Sequence, residues 1–200
     1  HPTKAPTNAR RFGPDSKPDL LMGSSTTPPT VAVSTVANEA GIPHFGLAPF
    51  PITPERAKWS VGMPQPVPIM GKVLYEHMKA HNVKTVGYIG YSDSYGDLWF
   101  NDFKNQAVPM GMTMVDEERF ARPDTSVAGQ VLKLVAANPD AILVGASGTA
   151  AALPQTALRE RGYKGLIYQT HGAASMDFIR IAGPAAEGVI MASGPVMNPE

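Results

Sequence analysis

Apolar residues along the chain fall into short continuous runs that alternate with longer stretches of helical period, and Gly, Pro, Asn or Asp stands at most of the joins. Asp19 to Gly23 reads as a buried strand, Thr30 to Ala40 as a helix, and Gly41 as its left-handed stop. Ile42 to Leu47 and, more weakly, Trp59 to Met63 are further strands. From Val67 to His81, Met70, Val73, Leu74 and Met78 fall near one helical face. Thr85 to Gly90 is a strand and Tyr95 to Ala107 a helix; Met112 to Phe120 is partly extended. A helix with the stripe Val127, Val131, Leu134 and Val135 follows, capped by Asp124 or Thr125 and closed at Asn138-Pro139. Ala141 to Val144, Leu166 to Gln169 and Val189 to Ala192 are strands separated by helices over Ala150 to Arg161 and Ser175 to Ala182.

Alternating strands and helices, with strands that are apolar almost throughout, predict an α/β fold of parallel sheets covered on both faces. The stiff run Met63-Pro64-Gln65-Pro66-Val67-Pro68 is poor in core residues and marks the best boundary. It predicts a partial first lobe over residues 1–65 and a second lobe over 66–200, whose completeness the sequence leaves open. In such sheets ligands sit beyond the carboxyl ends of the strands. The loops of interest are therefore 23–27, 48–52, 91–96, 145–149 and 170–173.

Composition narrows the functions available. Seventeen basic and seventeen acidic residues give a formal net charge of zero, and no basic stripe stands out, so nucleic acid is not an expected partner. No apolar run approaches the ~20 residues of a membrane helix, so direct membrane insertion is not expected. The absence of cysteine removes thiolate nucleophiles, disulfides and Cys-ligated zinc.

Gly23-Ser24-Ser25-Thr26-Thr27-Pro28 follows a strand and opens a helix. One hydroxyl satisfies a helix cap; four in succession, beside free backbone amides, suit a carboxylate or phosphate. There is no Lys in the run, so it is not a P-loop. Gly145-Ala146-Ser147-Gly148-Thr149 lies one residue from a nucleophile elbow, with Thr149 where the last Gly would stand, and His171 is the only later histidine. Backbone and hydroxyl contact to a ligand, or plain capping, outweighs catalysis there. Tyr95 brings an apolar face with a polar tip to another strand mouth; the competing reading is a plain helix start capped by Asp93 or Ser94. His171 either hydrogen-bonds a ligand or is a surface histidine. His77 and His81 are four apart on a helix, but Glu76 precedes His77, and Lys79 and Lys84 mark a solvated face. No metal is expected. No Gly-x-Gly-x-x-Gly turn joins a strand to a helix, and no cofactor is expected.

Three segments together resemble the leucine/isoleucine/valine-type solute receptors of ABC transporters. They are Leu21-Met22-Gly23-Ser24-Ser25-Thr26-Thr27-Pro28 through Gly41-Ile42-Pro43, then Asp93-Ser94-Tyr95-Gly96, then Ile181-Ala182-Gly183-Pro184-Ala185-Ala186-Glu187-Gly188-Val189. The likeness extends over nearly the whole chain. It implies Rossmann-like lobes of the type I periplasmic-binding fold, closing on a ligand as a hinged clamp, with no catalysis. It also implies that Ser24, Ser25 and Thr26 bind a ligand carboxylate and that the loop around Ala48 and Phe50 adds contacts. Tyr95 would line the pocket, and Ser147 to Thr149 would contribute. Where amino-acid receptors carry an acid for the ligand ammonium, this chain has His171. A neutral imidazole is no counter-charge, so an aromatic or other carboxylate lacking the amine fits better, and Phe50 and Tyr95 suit it. Such receptors also have an earlier strand-helix unit and return to the first lobe after the second, so the chain reads as an internal fragment.

The expectation is a periplasmic solute-binding component of an ABC importer. It would capture a small carboxylate, either an aromatic acid or a branched-chain amino-acid-like molecule, between two lobes and deliver it to a membrane permease. The alternatives are a serine hydrolase using Ser147 and the ligand-sensing domain of a transcription regulator of the lactose-repressor type.

Overall fold

The computed structural model describes residues 4–11 and 18–194 and divides into two compact units at Pro66/Val67. The first unit contains helix α1 (Lys4–Arg11), strand β1 (Leu21–Met22), helix α2 (Thr27–Ala40), strand β2 (His44–Gly46), the short helix α3 (Pro54–Ala57) and strand β3 (Ser60–Gly62). Its three strands pair in parallel in the order β1-β2-β3, with Leu21 opposite His44 and His44 opposite Ser60. Helix α2 stops at Gly41, which adopts φ 65° and returns its N–H to Ala37. Glycine at position 46 is required by close packing: an added Cβ would lie 2.5 Å from the Phe50 ring and 2.8 Å from Thr30. Helices α1 and α3 were not foreseen, because each is too short to show an apolar period.

The second unit runs through α4 (Val67–Ala80), β4 (Thr85–Tyr91), α5 (Ser94–Gln106), β5 (Thr113–Phe120), α6 (Ala128–Ala137), β6 (Ala141–Gly145), α7 (Ala152–Glu160), β7 (Leu166–Gln169), α8 (Met176–Ala182) and β8 (Val189–Met191). All neighbours in its sheet are parallel, in the order β5-β4-β6-β7-β8. Every residue of β6, and all of β4 but Thr85, is buried. Both faces of these strands are therefore covered, which is why they read as continuous apolar runs. Strand β5 forms one edge, and its side chains alternate between exposed and partly covered.

Strand order reverses at β4. The chain passes from β4 out to β5, returns to β6 on the other side of β4, and then moves outward through β7 to β8. That reversal places a topological switch point between the carboxyl ends of β4 and β6.

Two expected caps differ from the structure. Helix α6 begins at Ala128 after Val127, with no side-chain cap, because Val127 is buried as part of the core. Asp124 instead accepts the Ala121 N–H at 2.7 Å and closes the turn after β5. His77 is also less solvated than expected, since its Nδ1 lies 3.0 Å from the buried Tyr168 hydroxyl.

Helices α4 and α5 are joined by a buried carboxyl group. Asp102 accepts from the Tyr75 hydroxyl at 2.9 Å and from Gln106 at 2.8 Å, over Gly71. Burial raises its pKa, and the two hydrogen bonds only partly offset this. A carboxyl pKa raised on folding contributes stability below the ordinary carboxylate value and loses it as pH rises through the folded value. In thermal unfolding from about pH 4 to about pH 7, the melting temperature of Asp102→Asn is therefore expected to gain on that of the parent as pH rises. Parallel profiles would contradict this.

Candidate functional site

In the first unit the candidate residues leave the carboxyl end of β1. The Gly23 N–H donates to Phe45 at 2.9 Å, which keeps Gly23 on the sheet. Ser24, Ser25 and Thr26 then span the gap to α2. Thr26 occupies the N-cap position in extended conformation, yet its side chain makes no capping bond. Among the described residues, the hydroxyls of Ser24, Ser25 and Thr26 and the backbone amides of residues 24–27 have no hydrogen-bond partner. The plain capping role is thus unfilled.

Other groups hold this loop from behind. The Thr30 hydroxyl lies 2.8 Å from the Ser24 carbonyl and 2.9 Å from the Thr26 carbonyl, and the Thr27 hydroxyl donates to Pro49 at 2.6 Å. Pro28 and Pro29 follow at the start of α2. Proline fixes the helical φ but has no N–H, so the helix start offers fewer amides than an ordinary one. The anion-holding capacity rests on the loop's hydroxyls and its own amides. Ala48 is buried. Phe50 is buried as well, with its ring 5.9 Å from His44 and packed over Gly46. Its ring thus serves the packing of this unit.

In the second unit the candidates gather at the switch point. The Tyr91 hydroxyl, at the end of β4, donates to the Ser147 carbonyl after β6 at 2.7 Å, and the Ser147 N–H points back to it at 3.3 Å. The Tyr95 hydroxyl lies 2.9 Å from Thr170 Oγ1, whose own proton goes to the Ala146 carbonyl at 2.6 Å. Thr170 Oγ1 therefore accepts from Tyr95. Tyr95 is only 4% exposed, and burial pushes its hydroxyl up to about 12. It supports the strand ends from below rather than standing open as a wall.

Gly172 lies so close that an added Cβ would meet both Ser147 Cβ and the Tyr95 hydroxyl at 2.6 Å. Ser147 is half-buried and Thr149 exposed, and neither hydroxyl has a partner among the described residues. Ser147 makes no hydrogen bond to His171 or to an acid there, so the relay a serine nucleophile needs is not assembled.

His171 is half-buried, with its ring 5.8 Å from that of Trp99. Burial lowers its pKa, which favours the neutral imidazole. Its buried Nδ1 lacks a partner among the described residues. The sequence placed Tyr91 and Thr170 in loops of interest without giving either side chain a role, and it gave no sign of Arg122. The Arg122 guanidinium lies 4.0 Å from the centre of the Tyr91 ring, and its Nε donates to Asp93 at 2.6 Å. Asp93 also accepts the Tyr95 N–H at 2.8 Å as the cap of α5. The carboxylate nearest these tyrosines is thus committed to a cap and a guanidinium. Arg122 escaped notice because β5 carries three acidic residues in a row, Asp116, Glu117 and Glu118, which weakens its strand signal and drew no attention to the loop after it.

A family model described as periplasmic binding protein matches residues 1–200. A Rhodopseudomonas palustris (strain CGA009) protein designated Rp1789 is 82% identical, with a TM-score of 0.96 over 99% of this chain and 56% of its own. An extracellular ligand-binding receptor from Rhodopseudomonas palustris HaA2 gives the same identity, TM-score and coverage. This chain therefore spans 56% of the length of those proteins. A leucine binding protein from Thermotoga maritima, 23% identical over 94% of this chain and 55% of its own, has a TM-score of 0.84. At that identity the likeness shows the fold alone, and the fold is the type I periplasmic-binding fold expected from the sequence. No curated protein matches the chain.

Proposed function

The chain belongs to the family of periplasmic binding proteins, and on that premise we propose that it is the capturing part of a periplasmic solute receptor, one that binds a small organic carboxylate without chemical change and passes it to the membrane permease of an ABC importer. The observation that carries the reading is the loop 24–26. It presents three hydroxyls and adjacent amides that have no partner among the described residues, while Thr30, Thr27 and the sheet hold its backbone in place. Donors fixed in advance lose little freedom when an anion binds, which is the condition for a useful charge-assisted contact. Ala48 and Phe50 support the neighbouring loop of the first unit. In the second unit Ser147, Thr149 and His171 are the candidate ligand contacts, with Tyr95 beneath them.

The ligand is a carboxylate without an α-ammonium group, and an aromatic acid ahead of a branched-chain amino acid. His171 is held toward its neutral form, and Asp93 is taken by Arg122 and by the start of α5. An ammonium ion brought to this edge would lose its water without gaining a free carboxylate, a cost of several kcal/mol in order of magnitude. No helix of the described residues is long and apolar enough to cross a membrane.

Two matched pairs test the reading by titration calorimetry: 3-phenylpropanoate against L-phenylalanine, and 4-methylpentanoate against L-leucine. Each pair differs only by the α-amino group. The acid is expected to bind at least about tenfold more tightly than the amino acid, which is ~1.4 kcal/mol. The phenyl acid is expected to lead its pair. Tighter binding of the amino acids, or binding of none of the four, would contradict the proposal.

A further inference from the structure

The first unit contains a buried chain of polar side chains that the ligand contacts do not use. His44 opens β2 and is 1% exposed. Its Nε2 hydrogen-bonds the carbonyl of Gly23, and its Nδ1 lies 3.1 Å from Ser60 Oγ, which in turn lies 3.0 Å from Ser34 Oγ.

The direction of every proton in this chain follows from one fact. A carbonyl only accepts, so His44 Nε2 carries a proton and donates it to Gly23. In a neutral imidazole Nδ1 is then the acceptor, so the Ser60 hydroxyl donates to it. The Ser60 oxygen is left to accept from Ser34. The chain therefore runs Ser34 to Ser60 to His44 to the Gly23 carbonyl and satisfies each buried group. Burial of the ring lowers its pKa, which is consistent with the neutral form.

The end point of the chain is what gives it a role. Gly23 is the last residue before the three free hydroxyls, and an added Cβ there would meet nothing within 4 Å. Its φ of 121° lies in the range that L side chains rarely adopt, which a packed side chain could not stabilise. Gly23 is instead fixed by two hydrogen bonds: its N–H to Phe45 and its C=O from His44.

We propose that His44 is a positioning residue for ligand capture, whose Nε2–H fixes the Gly23 carbonyl and thereby the direction in which the Ser24, Ser25 and Thr26 hydroxyls leave the sheet. This rests on the reading of loop 24–26 as the carboxylate anchor.

Two uncharged substitutions separate positioning from mere core filling. His44→Gln places an amide N–H near the position of Nε2, and His44→Asn places one near Nδ1, toward Ser60 and short of Gly23. Three quantities are compared in the 200-residue chain: 15N relaxation of residues 24–26, affinity for 3-phenylpropanoate, and melting temperature. The Gln variant is expected to retain the loop order and bind within about threefold of the parent. The Asn variant is expected to loosen the loop and bind about tenfold more weakly, the size of one lost hydrogen bond at ~1.4 kcal/mol, with a melting temperature close to that of Gln. A loop equally ordered in both variants, or loosened equally in both, would overturn the proposal. If Ser25→Ala with Thr26→Ala leaves affinity unchanged, the anchor reading fails by itself. The relaxation contrast between Gln and Asn still decides whether His44 positions the loop.

Discussion

Replacing Gly96 by alanine is expected to lower the melting temperature by about 10 °C, corresponding to at least ~2 kcal/mol for a unit of this size. Alanine is the better helix former by about 1 kcal/mol, so an exposed helical site would gain from the change. At position 96 the new Cβ would instead overlap the Tyr91 carbonyl oxygen, which is backbone at the end of a central strand and has little room to shift. That oxygen already accepts from Arg119 at 3.1 Å, and the Gly96 carbonyl accepts from the Tyr88 hydroxyl at 2.7 Å. The first turn of α5 is thus docked on β4, and the Tyr88–Gly96 hydrogen bond stretches if the helix is pushed away. The matched control is Gly129→Ala in α6, where an added Cβ meets nothing within 4 Å. Thermal unfolding by circular dichroism should show that variant unchanged or slightly stabilised. Equal effects at the two positions would show that close docking at Gly96 is not what its glycine provides.

The second large effect concerns the anchor loop. Ser25→Ala combined with Thr26→Ala is expected to weaken carboxylate binding at least about 100-fold while changing stability by less than ~0.5 kcal/mol. Hydrogen bonds to a charged partner contribute ~1.5–3 kcal/mol each, and two are removed. Stability should be nearly untouched, because Ser25 is exposed and neither hydroxyl has a partner among the described residues. A purely structural cap behaves in the opposite way: substitution by alanine costs about 1 kcal/mol of stability and leaves binding alone. Calorimetric titration with 3-phenylpropanoate, set beside a melting curve, distinguishes the two outcomes.

The parallel sheets were legible in the sequence because buried parallel strands are apolar on both faces, as β4 and β6 are, and because Gly41 and Asn138 mark helix ends by their left-handed conformation. The sequence also indicated which loops lie at the carboxyl ends of strands. It did not reveal how those loops meet. Tyr91 reaches Ser147 across 56 positions and Tyr95 reaches Thr170 across 75. Both pairings depend on the strand order β5-β4-β6-β7-β8, which alternation alone does not determine. For the same reason Tyr95, read as a ligand wall from its aromatic character, proves to be a buried packing group as well. His44 offered no sequence signal beyond a polar residue in an apolar run. Its role emerges only when β2 brings it beside Gly23 on one side and Ser60 on the other.

The hydroxyl loop after β1 is the proposed seat of the carboxylate. The most direct measurement is amide chemical-shift mapping of the 15N-labelled chain with increasing 3-phenylpropanoate. The amides of Ser24, Ser25, Thr26 and Thr27 are expected to shift in a saturable way, most strongly in the first unit, and the Ser25→Ala, Thr26→Ala variant is expected to lose the response. Saturable shifts that leave residues 24–27 unmoved would contradict it.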